Sequence, residues 1–440
     1  MSKDITVTNE NRGDSKVTDL AAVRAIREKL TNTKAEREPH AFVAEAVIEV
    51  GIRQNGGDLM LAEGQVWFYR DGIWRIMTPT DHQWIMTLIQ KAFEVYNFSM
   101  KTNVLNACYK RITEHPDLYI AKVPWADGGV IVCQNGVLEI ESREFLPHSP
   151  NHYARRKIGA AYRAPATPYR PEEDCPMFIG LLNDMFADRR TQDRSGLINL
   201  IQDFFGAALA TKLLSREQRK ALILVGPSRT AKTELARFLR QLIGSPIATP
   251  SVAEISGQFG LASFYEAAAW IRDDAINEGD ELDAQRFKTI ITGEAVDINR
   301  KHQDAVAGVE LTLPVMLTAN SLPRARDKSD AIFNRSLIVE MTRVFSDDDA
   351  HKMRQRLNIP SGTTPAAHIF SVEGSGILNW ALAGLKHLLR RGRYNVPNCV
   401  KSATQRFKDD NNPVGEWARS CIEKAPDDGL VYLSGVFVSA

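Results

Sequence analysis

The sequence lacks the features that mark zinc proteins, disulfide-rich secreted proteins and membrane proteins. Its five cysteines are scattered and no two of them form a C-x-x-C pair, so neither a zinc site nor a disulfide framework is predicted. No apolar run is long enough to span a bilayer, and the N-terminus is polar rather than signal-like. We therefore expect a cytoplasmic protein in a reducing compartment, with no membrane partner.

An excess of charge of one sign is also absent. The chain has 55 Lys and Arg against 54 Asp and Glu, so its net charge is close to zero and does not by itself favour binding to nucleic acid. Any nucleic-acid binding must therefore come from local basic patches. The length of 440 residues is typical of a chain with two or three domains.

The most informative stretch joins a strand-length apolar run to a helical pattern. The run, residues 221–225, is followed by a short polar loop, and Lys232-Thr233 stands where the helical pattern begins. Free N–H groups at a helix N-terminus and the charge of Lys232 suit a phosphate, and the hydroxyl of Thr233 suits a magnesium ion that bridges phosphates. The predicted nucleotide-binding residues are Gly226, Pro227, Ser228, Arg229, Thr230, Ala231, Lys232 and Thr233.

One residue of this loop departs from the usual pattern. Ala231 stands where a second glycine is usual, and glycine suits backbone that approaches a phosphate closely or takes unusual dihedral angles. We therefore expect a tighter loop, which could reduce ATP affinity or turnover. The alternative for the whole stretch is a buried strand followed by an ordinary helix with a surface lysine.

Two further apolar runs end in polar residues that suit nucleotide hydrolysis. The first ends at Asp273-Asp274, and an acid at a strand end beside a phosphate loop suits a metal ion and an attacking water. We predict that Asp274 holds or orients magnesium and that Asp273 polarises water, although an aspartate pair at a strand end is common. The second ends at Asn320, whose amide can bond the attacking water or the γ-phosphate.

A basic segment lies between two apolar strands farther along the chain. This pattern predicts a hairpin whose tip contacts DNA phosphates, and the alternative is a solvated turn, which normally carries charge. The residues of the tip are Arg300, Lys301 and His302.

Arg335 opens the next apolar strand, residues 336–341. From the edge of the subunit it is placed to enter a neighbouring subunit's nucleotide site as an arginine finger. Arg324 and Arg326 are weaker candidates for the same role.

The N-terminal part of the chain has different signals. Residues 1–17 are polar and aperiodic and are predicted to be disordered, and 147–176 are predicted to be a surface linker. Asp71-Gly72 and Asn135-Gly136 each predict the turn of a β-hairpin. Three aromatic residues of the first hairpin suit base stacking, but cross-strand core packing is the favoured interpretation. They are Trp67, Tyr69 and Trp74.

Together these stretches resemble the superfamily 3 helicases, and within them the helicase portion of the phage and plasmid primase–helicase family. Four segments in order carry the resemblance, and the third is similar to the family's "ITGGDxxxxxRK". They are Gly226 to Lys232-Thr233, Asp273-Asp274, residues 291–301, and residues 318–323 with Asn334-Arg335. The flanking segments 135–138 and 376–380 also look like parts of that family.

This resemblance implies an ATP-dependent DNA helicase of a phage, plasmid or other mobile element in the cytoplasm of a bacterial host. ATP and Mg²⁺ are the implied cofactors. The implied partners are single-stranded DNA at a replication fork, further copies of the chain in a hexamer-like ring, and a separate primase or replication protein. By this resemblance, Lys232 and Thr233 bind ATP and magnesium, and Asp273 and Asp274 serve hydrolysis. Asn320 is the implied sensor of the γ-phosphate, and Arg335 acts in trans.

The predicted fold class is α/β, with a P-loop AAA+ core of the superfamily 3 helicase type. The expected divisions are a tail (1–17), a mixed α+β helicase-associated domain (18–190), the ATPase core (191–345) and a helical C-terminal segment that could begin a truncated winged helix (346–440). Glu294-Ala295 stands where the family reads Gly-Asp. No primase domain precedes the core, so primer synthesis is not expected.

Two other functions fit parts of the sequence. A nucleotide-dependent DNA-binding or assembly scaffold with weak ATP hydrolysis would fit Ala231. A small-molecule P-loop kinase would explain neither the basic hairpin nor the spacing from Asn320 to Arg335.

Overall fold

The computed structural model describes residues 39–95, 98, 100–126, 128–276, 280–301, 303–322, 324–325, 331–411, 422–424 and 431–433. The predicted tail, 1–17, lies outside them. The chain divides into two compact units, Met1–Ala126 with Leu146–Arg156, and Asp127–Phe145 with Lys157–Ala440. The boundary expected near residue 190 therefore falls within the second unit. Among the described residues, no helix combines the length and apolar character needed to span a membrane.

The first unit combines helices with a three-stranded antiparallel sheet. The first helix continues as a π-helix and a 3₁₀ turn, and Gly56 ends it with a left-handed φ of +76°. The helices are α1 (Pro39–Ala46), with the π-helix Val47–Ile52 and the 3₁₀ turn Arg53–Asn55, then α2 (Pro79–Val95), α3 (Thr102–Thr113) and the 3₁₀ turns Pro116–Leu118 and Pro150–His152. The strands are β1 (Asp58–Ala62), β2 (Gln65–Arg70) and β3 (Ile73–Ile76).

The first predicted hairpin is confirmed. Strands β2 and β3 pair antiparallel around Asp71-Gly72, and both turn residues have positive φ, as a type I′ turn requires. The three aromatic residues noted above are only 3–5% exposed and belong to one hydrophobic cluster, so the core interpretation is also confirmed.

The second unit holds most of the secondary structure. Its strands are β4 (Val130–Cys133), β5 (Gly136–Glu139), β6 (Phe145–Leu146), β7 (Ala221–Val225), β8 (Ile247–Ala248), β9 (Ala269–Ile276), β10 (Glu281–Leu282), β11 (Ala295–Arg300), β12 (Gln303–Glu310), β13 (Val315–Ala319), β14 (Arg324–Ala325), β15 (Ser336–Glu340), β16 (Ile422–Lys424) and β17 (Val431–Leu433). Its helices are α4 (Pro171–Asp174), α5 (Pro176–Met185), α6 (Thr191–Leu209), α7 (Lys232–Ile243), α8 (Ala284–Thr292), α9 (Ala331–Arg335), α10 (Asp347–Arg356), α11 (Pro365–Arg391) and α12 (Asn398–Asp410), with 3₁₀ turns Thr211–Leu213, Glu254–Ser256 and Ala262–Phe264.

The second predicted hairpin is also present, but its turn is shifted by one residue. Gly136 pairs with Cys133 and begins β5, so Gln134 and Asn135 form the turn. The Asn135 amide donates to the Tyr162 carbonyl at 2.9 Å and accepts from the Tyr162 N–H at 2.8 Å. These two bonds hold Asn135 outside the strand ladder.

The predicted linker is not entirely on the surface. The Ile158 N–H donates to the Val132 carbonyl at 2.8 Å, and the side chains of Ile158 and Ala160 are buried in the core of the second unit. Alternating apolar residues in a Pro-rich segment were the available signal, and they are too few to define a period.

The centre of the second unit is a parallel sheet in the order β15-β7-β13-β9-β8. Both faces are buried. Leu222 and Leu224 of β7 join a core with α6, α7 and α11, whereas Ala221 and Ile223 join a second core with α8 and α12. This explains why β7 reads as a continuous apolar run. Because all five strands are parallel, their carboxyl ends meet at one edge of the sheet.

The long helix α11 packs closely against α6. A Cβ added at Gly206 would lie 2.2 Å from the Leu385 backbone nitrogen, and one added at Gly384 would lie 2.1 Å from the Gln202 carbonyl oxygen. Only glycine permits this approach. The helix begins at Pro365, where the Thr364 side chain accepts the Ala367 N–H, and it ends before Gly392, whose φ is +68°.

Candidate nucleotide-binding site and nucleic-acid interface

The predicted strand–loop–helix is present at the carboxyl edge of the sheet. Strand β7 ends at Val225, the loop follows, and α7 begins at Lys232. A Cβ on Gly226 would lie 2.1 Å from the Met341 carbonyl oxygen, so this position admits only glycine. The loop is therefore fixed against the chain that leaves β15.

Two loop residues other than glycine have left-handed backbone. Arg229 has φ +65° and Ala231 has φ +64°, and Ala231 is the residue that precedes the first turn of α7. Such a conformation costs a residue with a Cβ about 1–2 kcal/mol. Ala231 therefore adopts the backbone that the missing glycine would take without strain.

Lys232 folds back over the loop. Its side chain is buried at 5% exposure, and its Nζ donates to the Gly226 carbonyl at 2.5 Å and to the Pro227 carbonyl at 2.7 Å. The same Nζ lies 3.4 Å from Asn320 Oδ1. Burial lowers the pKa of Lys232, and the negative charge of Asp274 opposes that shift. Asn320 thus lies beside the lysine, and Asp274 is close enough for its charge to act on it.

The two aspartates have different surroundings. Asp274 is exposed, has φ +46°, and donates its backbone N–H to Thr318 Oγ1 at 3.1 Å where β9 and β13 shift register. Asp273 is half-buried, with Oδ2 3.5 Å from Arg240 Nη2. Burial raises the pKa of Asp273, and Arg240 counteracts this. The structure therefore places Asp274 with Lys232 and places Asp273 against Arg240.

The remaining predicted loop residues lie where expected. Thr233 is partly exposed in the first turn of α7, and Thr230 is buried with its Oγ1 donating to the Pro227 carbonyl at 3.0 Å. Pro227 and Ser228 are exposed at the outer side of the loop.

The loop is tethered to segments that sequence reasoning did not connect with it. Arg229 forms an ion pair with Asp347, and its carbonyl accepts the Phe345 N–H at 2.9 Å. In α7, Glu234 Oε2 accepts the Ala366 N–H at the start of α11 at 2.9 Å. The available signal was the helix start at Ser346, whose side chain forms a capping box with Asp349.

Arg335 lies at the opposite edge of the sheet from the loop. It is the last residue of α9, and the next residue, Ser336, pairs with Ala221 at the start of β7. Its guanidinium donates to the Arg216 carbonyl. The structure therefore does not bring Arg335 to the loop of its own chain.

Further basic residues surround Arg335. Lys220 donates to the Asn334 carbonyl, and burial together with the charge of Arg335 lowers the pKa of Lys220. Burial, Arg216 and Arg335 likewise lower the pKa of Arg219. The sequence showed this basic run before β7 but gave no reason to place it beside Arg335.

The predicted hairpin is present, and contact of its tip with DNA stays a prediction. Strands β11 and β12 pair antiparallel with Arg300 opposite Gln303, and Lys301 is exposed at the tip. The Arg300 guanidinium lies 5.3 Å from the centroid of the Tyr265 ring. The third predicted tip residue, His302, lies outside the described residues.

An exposed aromatic side chain near this hairpin was missed. Phe259 is 44% exposed on a turn that Arg286 holds by donating to the Ile255 and Gly257 carbonyls, both at 2.5 Å. A Cβ on Gly260 would lie 2.4 Å from the Ile255 carbonyl oxygen. The segment Gly-Gln-Phe-Gly, a phenylalanine between glycines, was the available signal.

Comparison with known proteins adds family relations to this geometry. Residues 52–187 match the family model described as D5 N terminal like. Residues 224–335 match a model described only as a family of unknown function. The first match spans the second hairpin and supports the resemblance of the N-terminal part to the primase–helicase family. The second spans the loop, the basic hairpin and Arg335.

One solved structure shows a similar fold. One apo structure of the NrS-1 C terminal region has a TM-score of 0.51 and 14% sequence identity, and the match covers 88% of this chain and 78% of that one. A second, the A form apo structure of the same region, has a TM-score of 0.47 and 13% identity over 84% and 76% of the chains. The first match shows the fold alone. The predicted α/β class is confirmed at the level of a mixed α/β chain with a five-stranded parallel sheet.

Proposed function

We propose that this protein is an ATP-dependent DNA helicase that works as a hexamer-like ring on single-stranded DNA. It would serve the replication of a phage, plasmid or other mobile element. The observation that carries the proposal is the split between two edges of one sheet. Lys232, Asp274 and Asn320 converge at the carboxyl edge, whereas Arg335 lies at the other. A complete nucleotide site then requires two copies of the chain.

The carboxyl edge suits ATP with magnesium. The loop N–H groups, the α7 N-terminus and Lys232 attract the phosphates. The hydroxyl of Thr233 and the carboxylate of Asp274 are hard oxygen donors, which magnesium prefers, and the ion would neutralise charge that develops on the phosphates. Lys232 would exchange its loop carbonyls for phosphate oxygens. Asn320 is placed to orient the γ-phosphate or the attacking water.

Asp273 is proposed to polarise the attacking water during hydrolysis. Its buried Oδ1 has no hydrogen-bond partner among the described residues, and its pKa is raised by burial. A carboxyl with these properties suits a general base better than a metal ligand. Arg240 would hold its other oxygen in place.

The β11–β12 hairpin and the Phe259 turn suit single-stranded DNA. Lys301 and Arg300 offer charge to the backbone, and the exposed ring of Phe259 offers a surface on which bases stack. Phosphate contacts make the affinity strongly salt-dependent. The D5 N-terminal-like part is proposed to contact a separate primase or replication protein.

Two substitutions test the proposal. Lys232→Ala should abolish ATP hydrolysis and fork unwinding, because the phosphates lose their cation. Lys301→Ala should keep DNA-independent ATPase and lose unwinding, because only the DNA contact is removed. Lys401→Ala changes an exposed lysine on α12 and serves as the control. Normal unwinding by Lys301→Ala would show that the hairpin does not grip DNA.

A second candidate, a nucleotide-dependent DNA-binding scaffold with weak hydrolysis, is favoured by the strained Ala231 and by the engagement of Lys232 with its own loop. Steady-state ATPase with and without single-stranded DNA separates the two functions. Robust stimulation by DNA would eliminate the scaffold.

A further inference from the structure

A polar cleft of about 270 Å³ lies between the Phe259 turn, helix α8 and one face of strand β11. Its polar lining comes from all three elements. Three side-chain amides and two carboxylates surround it, and a buried threonine lies among them. These residues are Gln258, Gln285, Asn299, Glu294, Asp297 and Thr289.

The cleft has free hydrogen-bonding groups but little free positive charge. The amides of Gln258, Gln285 and Asn299 make no hydrogen bond within the part of the chain that the structure describes. Asp297 accepts one N–H, from Gly308 at 2.9 Å, and keeps further acceptor capacity. Its exposed carboxylate disfavours an anion, so the cleft does not suit a phosphate.

The cations near the cleft are already engaged. Arg286 donates to two backbone carbonyls and lies 3.7 Å from an Asp283 carboxylate oxygen. Lys288 pairs with Glu294 at 2.9 Å. The cleft therefore does not suit an anion, and its free amides and carboxylate suit a ligand that is rich in hydrogen-bonding groups.

We infer that this cleft binds one unstacked base of the single-stranded DNA that the hairpin holds, and that it favours bases with an exocyclic amino group. A carboxylate accepts the amino N–H of cytosine, and an Asn or Gln amide pairs with the amino group and ring nitrogen of adenine. Single-stranded bases are read by such edge contacts while they stack on aromatic rings, and the exposed Phe259 directly follows Gln258 of the cleft in the chain. Thymine has no amino group.

The volume also fits this ligand. Pockets for drug-sized molecules are about 300–1,000 Å³. A cleft just below that range has room for one base and not for a folded oligonucleotide. This inference rests on the proposed function, because the hairpin must bring the strand to the cleft.

The test is fluorescence anisotropy of labelled oligo(dC), oligo(dA) and oligo(dT) of equal length with the full chain. The wild type should bind oligo(dC) and oligo(dA) about tenfold more tightly than oligo(dT), which is near the low end of what one well-made base contact discriminates. Asp297→Asn keeps the oxygen that accepts the Gly308 N–H and replaces the other with an amide donor. It should reduce the ratio to about twofold or less, as should Gln285→Ala.

The matched control is Gln355→Ala, which removes an exposed glutamine on α10 and should keep the wild-type ratio. Equal binding of all three oligonucleotides, or unchanged ratios in both cleft variants, would overturn the inference and leave the proposed function standing. A wild type that binds no oligonucleotide would overturn both. Thermal unfolding of each variant identifies any loss of binding that comes from misfolding.

Discussion

An Arg335→Ala variant is expected to lose ATP hydrolysis as a pure protein and to regain it when it is mixed with Lys232→Ala. Ser336 pairs with Ala221, and Gly226 follows five residues later along β7. At about 3.3 Å per residue of parallel strand, the two ends of the site lie about 16 Å apart in one chain. An arginine side chain does not cover that distance, so the proposed function requires Arg335 to act on a neighbour's nucleotide.

The magnitude follows from how a ring shares its sites. Loss of an arginine finger costs about 10³–10⁵ in turnover, so neither variant alone should be measurably active. Each site takes its loop from one subunit and its arginine from the next. In an equimolar mixture, the loop comes from Arg335→Ala in half of the sites and the arginine comes from Lys232→Ala in half, so about one site in four is intact. The mixture should therefore recover about a quarter of wild-type ATPase if the sites act independently.

The assay is steady-state ATPase after the two purified variants are mixed with nucleotide and single-stranded DNA. Activity no greater than the sum of the two parents would refute action in trans, as would full activity of Arg335→Ala alone. Arg393→Ala, which removes an exposed arginine beyond α11, is the control and should keep wild-type activity. Arg335 also donates to the Arg216 carbonyl, and losing that bond costs about 1 kcal/mol, so thermal unfolding should show only a small shift.

Two further predictions concern stability. Ala231→Gly is expected to be neutral or stabilising, because the relief of left-handed strain, worth about 1–2 kcal/mol, should outweigh the extra unfolded-state entropy of glycine. The control, Ala350→Gly within α10, should destabilise the protein by about 1 kcal/mol. Thermal unfolding measures both. Burial raises the pKa of Asp203 to about 6, against the opposing charge of Arg391. The folded state therefore binds this proton more tightly than the unfolded chain, whose pKa is about 3.9, and the stability that the proton confers is lost as pH rises from about 4 to about 6. Denaturant titrations should show the wild type losing stability relative to Asp203→Asn over that range, and a constant difference would contradict the assignment.

Features with a local cause could be predicted from the sequence. The hairpin at Asp71-Gly72, the end of α11 at Gly392 and the strand–loop–helix at Lys232 each depend on a few neighbouring residues. Features that depend on distant partners could not. Ile158, in the Pro-rich segment, is buried beside β4, where Val132 accepts its N–H, and no sequence period reports such a contact.

Once the strands are taken to be parallel, the topology alone predicts that the residues of the candidate site lie close together. Asn320 and Asp274 both come at carboxyl ends, so they had to meet Lys232 at one edge. The same reasoning implies that Arg335, which stands before its strand, lies at the other edge. Strand polarity alone therefore separates Arg335 from the loop of its own chain.

The different surroundings of Asp273 and Asp274 could be seen only in the structure. Neighbouring residues of a regular strand face opposite sides, but the sequence does not say which aspartate faces the loop. The register shift beside Thr318 decides it, because the left-handed backbone of Asp274 turns that residue out of the ladder toward the charge of Lys232. Asp273 is left against Arg240, where burial favours its protonated form. One irregular residue thus gives two adjacent acids different surroundings, as the separate roles proposed for them require.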